Sequence, residues 1–126
     1  MKHAIFVLFV FILFSCNNDT APTLQGEWEY VGSWVSTGGP VVFQPKTSDE
    51  IIRFEPDGTF FTSILYCSGA TGTGQSGTYS VSNSEILLDG CASGASNRLF
   101  FDMDGDKLTV STFCIESCSH EYRFVR

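Results

Sequence analysis

Cys67, Cys91, Cys114 and Cys118 are the reactive sulfurs of the C-terminal half, and His120 is the imidazole nearest to them in the chain. Only Ile115, Glu116 and Ser117 separate Cys114 from Cys118, so these two can bond across a turn, which leaves Cys67 for Cys91. On a chain-entropy account the longer loop is worth roughly 3.5 kcal/mol and the shorter about 2. A four-thiolate metal centre generally shows two close cysteine pairs, and only one is present, so no metal is expected. Gly72-Thr73-Gly74-Gln75-Ser76-Gly77 spells G-x-G-x-x-G. A pyrophosphate would need a helix N-terminus after it, and Thr78-Tyr79-Ser80-Val81 reads as a strand, so a hairpin loop is expected instead. Asp102-Met103-Asp104-Gly105-Asp106 opens like a calcium loop, but the register puts Lys107 where the glycine belongs and Phe113 where the bidentate glutamate belongs. A turn tipped by Asp-Gly is the expectation there. His120 has no G-x-S-x-G elbow to serve and reads as an exposed strand residue. Most acidic residues fall at turns, where solvent and backbone geometry favour them. Neither an enzyme nor a cofactor is expected.

The fifth cysteine has a different setting. Lys2 and His3 precede an unbroken apolar run from Ala4 to Phe14, followed by Ser15 and Cys16. A positive start and a short apolar stretch make a signal-peptide layout. The run is too short to span a bilayer, which takes about 20 residues. Leu13-Phe14-Ser15-Cys16 resembles the bacterial lipobox, with leucine three before the cysteine and a small residue one before it. The resemblance implies cleavage before Cys16, diacylglycerol on its sulfur and a further acyl chain on the new amino terminus. Two or more acyl chains anchor durably, at about 0.8 kcal/mol per buried methylene. Asn17 rather than aspartate after the acceptor favours, by resemblance to enterobacterial sorting, the outer membrane of the cell envelope.

These readings divide the chain into a signal peptide over residues 1–15, a polar tether over 16–23 and one folded domain over 24–126. Loss of Lys2 leaves 6 basic against 14 acidic side chains, a formal charge of −8. Nucleic acid is not an expected partner, because binding it takes clustered Lys and Arg. A basic protein partner of the envelope remains open.

The domain must be built from strands, because apolar residues recur with period two and no window carries a helical stripe. Strands are predicted at 26–35, 41–44, 50–55, 59–67, 76–82, 85–89, 98–103, 107–113 and 119–125. Short connections such as Pro56-Asp57-Gly58 and Ser82-Asn83-Ser84 imply sequential hairpins. The fold expected is all-β, a small antiparallel up-and-down barrel of about eight strands. Alternation nominates Ile52, Phe54, Phe60, Ile64, Tyr79, Val81, Ile86, Leu88, Leu99, Phe101, Leu108, Val110, Tyr122 and Phe124 for the interior. Phe61, Leu65, Phe100 and Phe113 fall on the opposite face. The irregular stretch around Pro40 and Pro45, and the glycine-rich run 68–77, are candidates to cross the open end.

Leu24-Gln25-Gly26-Glu27-Trp28 resembles the G-x-W opening of lipocalins, and Ile52 to Phe60, Gly77 to Tyr79 and the terminal Arg126 extend the likeness to small lipocalin-like domains of bacterial lipoproteins. The resemblance implies that Trp28 plugs one end of the barrel with Arg126 packed over its indole, a cation–ring contact worth about 0.5 to 2 kcal/mol. It also implies a small lipophilic ligand at the open end, for which Phe54, Phe60, Tyr79 and Tyr122 are the candidate lining. The alternative is a non-catalytic protein-interaction or inhibitor module that works through the acidic outer surface of the barrel.

Overall fold

A computed structural model describes residues 23–45, 48–113 and 118–126. The residues read as a signal peptide, nearly all of those read as a tether, Cys16 and Cys114 therefore lie outside the described residues. Nine strands make one antiparallel sheet: β1 (Gly26–Val35), β2 (Val42–Pro45), β3 (Ile51–Phe54), β4 (Thr59–Thr62), β5 (Gln75–Ser80), β6 (Glu85–Leu88), β7 (Arg98–Asp104), β8 (Lys107–Thr112) and β9 (Cys118–Phe124). Each strand from β3 to β9 pairs with its sequence neighbour. β9 then pairs with β1 from Trp28↔Phe124 to Val35↔Cys118, so the sheet closes. The result is the up-and-down barrel of eight strands that the alternation implied, with one strand extra.

The extra strand is β2. β1 carries two partners along a single edge, β3 against Gly26 to Glu29 and β2 against Gly32 to Val35. β2 and β3 thus lie in line, and the chain between them returns at Glu50, whose carbonyl accepts the Tyr30 N–H at 2.9 Å. The stretch around Pro40 and Pro45 consequently forms a hairpin on β1 and does not cross the barrel.

One face of every barrel strand fills the inside. Ile52, Phe54, Phe60, Ile86, Leu88, Leu99, Phe101, Leu108, Val110 and Tyr122 are buried there, as alternation required, together with Leu24, Trp28 and Tyr30. Phe54 sits at the centre of an aromatic group, with ring centroids 5.3 Å from Phe60, 5.1 Å from Tyr79 and 5.9 Å from Phe101. Eight strands enclose a space that side chains alone can fill. Ile64, Tyr79 and Phe124 are only partly buried against this core. Val81 is a correction: β5 ends at Ser80, Val81 begins the turn into β6, and it is 64% exposed.

The two ends of the barrel differ. At the first, Trp28 is fully buried and its Nε1–H donates to the Leu24 carbonyl at 2.9 Å. The ring against its indole is that of Phe124, edge-on at 5.0 Å. The Arg126 guanidinium is instead 78% exposed and pairs with Glu27 at 3.1 Å, which corrects the expected cation–indole contact. What Arg126 contributes to the closure is backbone: its carbonyl accepts the Glu27 N–H at 2.8 Å. A side chain at position 26 would collide with that carbonyl and with the Phe124 ring, so only glycine fits.

Candidate functional site

The second end is where the barrel was expected to open. β4 was predicted to run on to Cys67, but it stops at Thr62, whose Oγ1 accepts the Ile64 N–H at 3.1 Å. A local bond of this type competes with the sheet ladder and turns the chain out of it. The released segment carries Tyr66 from the end of β4 to β9, three strands around the barrel. There the Tyr66 hydroxyl bonds to that of Tyr122 and lies 3.0 Å from His120 Nδ1. The Tyr66 and His120 rings pack at a tilt, centroids 5.3 Å apart, and Tyr30 packs on His120 at 5.4 Å. His120 is therefore an inward-facing, half-buried residue, two places from Tyr122 on the same face, and not the exposed strand residue expected.

The plug is stapled. Cys67 and Cys91 form a disulfide, the pairing inferred from spacing, and it ties the β4–β5 connection to the β6–β7 connection. Cys118 is also disulfide-bonded. Gln75, the first residue of β5 and buried, organises the staple from below. Its Oε1 accepts the Tyr66 N–H at 3.0 Å, while its Nε2 donates to the Asp89 carbonyl at 3.0 Å and to Cys67 Sγ at 2.8 Å. A buried amide is tolerable only when satisfied in this way. Nothing in the polar run 68–77 marked Gln75 as a core residue; its place between the paired cysteines was the one available signal. The glycines around it have packing roles. A Cβ on Gly74 would come within 2.7 Å of the Phe61 ring, and one on Gly77 would strike the Leu87 carbonyl. Of the G-x-G-x-x-G spelling, Gly74 and Gly77 thus reflect close approach of neighbouring chain, and Gly72 a left-handed backbone (φ 104°) in open space.

Burial pushes the Tyr66 and Tyr122 hydroxyls well above the ordinary phenol value, so both stay protonated. Each can donate one bond, and in the Tyr122–Tyr66–His120 chain the Tyr66 hydroxyl is the hub that meets both neighbours. Of the four aromatics proposed to line a ligand cavity, Phe60, Tyr79 and Tyr122 are held in this core or its hydroxyl chain. Phe54 also touches an outside recess, a groove of about 500 Å3 at the Trp28 end that includes Arg53, Glu55 and Arg126, and Tyr79 borders a smaller one of about 120 Å3 beside Asn83 and Leu87. Tyr79 is committed as well, donating to the Glu55 carbonyl at 2.7 Å. The largest groove described, about 700 Å3, lies on the outer flank of β1 and β9 beside Asp49 and Arg123. At the stapled end a recess of about 270 Å3 opens beside Tyr66, bounded by Arg98 and Phe113.

Asp102 and Asp104 sit on β7, and β7 and β8 remain in register to Asp104↔Lys107 around Gly105. A hairpin turn is there as expected, but its two central residues are Gly105 and Asp106, one place beyond the Asp-Gly tip read from the sequence. Glu27 is held below the usual carboxylate range, first by the hydrogen bond from Arg53 at 3.1 Å and then by the charge of Arg126. Comparison with models of protein families, with curated proteins and with solved structures finds no match.

Proposed function

We propose that this chain is a lipid-anchored, lipocalin-like binding module of the bacterial cell envelope that is not a catalyst and that engages a protein partner through the outside of its barrel. The anchor rests on the lipobox-like Leu13-Phe14-Ser15-Cys16, and the lipocalin likeness on the Gly26-Glu27-Trp28 opening of a closed antiparallel barrel.

The observation that carries the outward-working reading is the filled interior. Trp28, Phe54, Phe60 and Tyr122 are each no more than 2% exposed, and Tyr66 is pinned over them by a disulfide. A pocket for a drug-sized guest usually takes roughly 300–1,000 Å3 of preformed space. The larger recesses described here are on the outer surface, which favours the interaction module over the small apolar ligand. Native mass spectrometry of the protein extracted from its own membranes tests this. The expected spectrum is a bare polypeptide plus its acyl chains, whereas a stoichiometric lipophilic guest would restore the cavity reading.

A further inference from the structure

Of the nine large apolar side chains exposed among the described residues, five lie at the stapled end and include both aromatic ones: Trp34, Val41, Val42, Leu65 and Phe113, between 37% and 74% exposed, against Val81, Leu87, Met103 and Val125 elsewhere on the barrel. Trp34, Val41 and Val42 belong to the β1–β2 hairpin, which runs past β3; Leu65 belongs to the plug, and Phe113 follows β8. Phe113, at 74%, is the most exposed of them, although its ring edge meets Phe100 at 5.5 Å. An apolar cluster on one end of a soluble domain marks an interaction surface more often than scattered exposure does.

Charge at this end is mainly acidic among the described residues. Among the described residues its cation is Arg98, already bonded to Glu85 at 2.7 Å. Asp89 and Glu121 stand at the rim, Glu121 accepting the Trp34 indole N–H at 3.1 Å, and Asp49 lies below the β1–β2 hairpin. Arg53, Lys107, Arg123 and Arg126 all sit toward the Trp28 end, interspersed there with Glu27, Glu55, Asp104 and Asp106, so that end is mixed in charge. Thr23 enters at that same Trp28 end, in the groove with Arg126. Cys16 is seven residues earlier, so a lipid on it would keep the Trp28 end within about 25 Å of the bilayer, nearer than the apolar end has to come.

Resting on the outward-working reading above, we infer that the stapled end is the docking face, and that its occupant is a protein presenting an apolar centre ringed by lysine and arginine. The apolar rim supplies the desolvated middle of such an interface, and the acidic flank selects the partner and speeds its approach. A lipid surface is disfavoured by the acidic flank and by the position of the tether.

The test uses the full-length anchored protein in its host, with a photo-reactive phenylalanine analogue at Phe113, at Val42 and, on the opposite end, at Asp104. The same protein adduct from 113 and 42, absent from 104, is the expected result. The captured protein is then purified and titrated. Its Kd should rise at least tenfold for V42S/F113S and should weaken several-fold between 50 and 300 mM NaCl. Both substituted side chains are exposed, and an unchanged thermal midpoint would show the barrel intact. Adducts to lipid, to a second copy of this chain, or to a partner indifferent to salt would overturn the assignment. Adducts confined to 104 would overturn the choice of end while leaving an outward-working barrel. No adduct from any position would overturn both.

Discussion

Removing the staple by C67A/C91A should cost the domain about 3.5 kcal/mol. The two cysteines are 24 residues apart in sequence, and closing a loop of that length removes roughly 12 cal/mol/K from the unfolded chain. At 25 °C this is about 3.5 kcal/mol, which for a domain of about 100 residues corresponds to a fall in Tm of about 15–25 °C. The double substitution is preferred to a reductant, because Cys118 is also disulfide-bonded and a reductant would attack both bridges. The native-state loss has a particular location. Gln75 keeps its bonds to the Asp89 carbonyl and the Tyr66 N–H but loses its sulfur acceptor. The plug is then held mainly by the Tyr66 ring and its hydroxyl contacts with Tyr122 and His120. Urea unfolding gives the total, and native-state amide exchange gives the distribution. Protection should drop first from the plug and the β6–β7 connection, and least at the Trp28 end. A loss below about 1 kcal/mol, or exchange that rises equally at both ends, would refute the idea that the bridge secures a plug on an otherwise self-sufficient barrel.

Four further outcomes are expected. W28A should cost about 3–5 kcal/mol, because it empties a buried aromatic site, whereas R126A should cost under about 1 kcal/mol, because it removes an exposed ion pair; chemical denaturation distinguishes these, and similar losses would mean that the guanidinium does pack on the indole. Alkali should unfold the domain from about pH 10 upward: Tyr66 and Tyr122 stay protonated in the folded chain and ionise from 10.0 in the unfolded one, so unfolding releases protons, stability falls by up to about 1.4 kcal/mol per pH unit for each, and Y66F should lower the slope in a pH series of urea melts. Glu27 acts at the acid end with the opposite sign. Its carboxyl is held below 4.5 chiefly by Arg53, so its contribution is present above that value and fades as pH falls through the lowered one; R53M should flatten that part of the acid titration curve. Finally, C16S should move the protein from the membrane pellet to the soluble fraction after cell fractionation, and retention in the pellet would remove the lipid anchor from the argument.

What could be read from the sequence, and what could not, divides along one physical line. Alternation is a local property, so β1 was legible to the residue, and Ile52, Phe54, Ile86, Leu99, Leu108 and Tyr122 were legible as interior. Closure was legible too, because consecutive short hairpins leave an eight-strand meander little else to do with its edges. The misread positions depend on groups distant in the chain. Ile64, Leu65 and Tyr66 look like the rest of β4, and what ends the strand there is the Thr62 hydroxyl together with a bridge to Cys91. Val81 is apolar with the right parity, yet it lies where Ser80↔Glu85 is the last pair of the β5–β6 hairpin. His120 and Gln75 look like surface polar residues because their partners, Tyr66 and the disulfide sulfurs, arrive from another loop. The same division bears on function. A list of inward aromatics fits a ligand cup and a solid core equally well, since order along a strand fixes direction and says nothing of leftover volume. The deciding quantity is how far opposite walls stand apart, and here the Phe54 ring touches partners from β4, β5 and β7 at once. An interior spanned by a single side chain at this level supports the outward-working proposal, under which selectivity belongs to the rim, where Trp34 and Phe113 project into solvent.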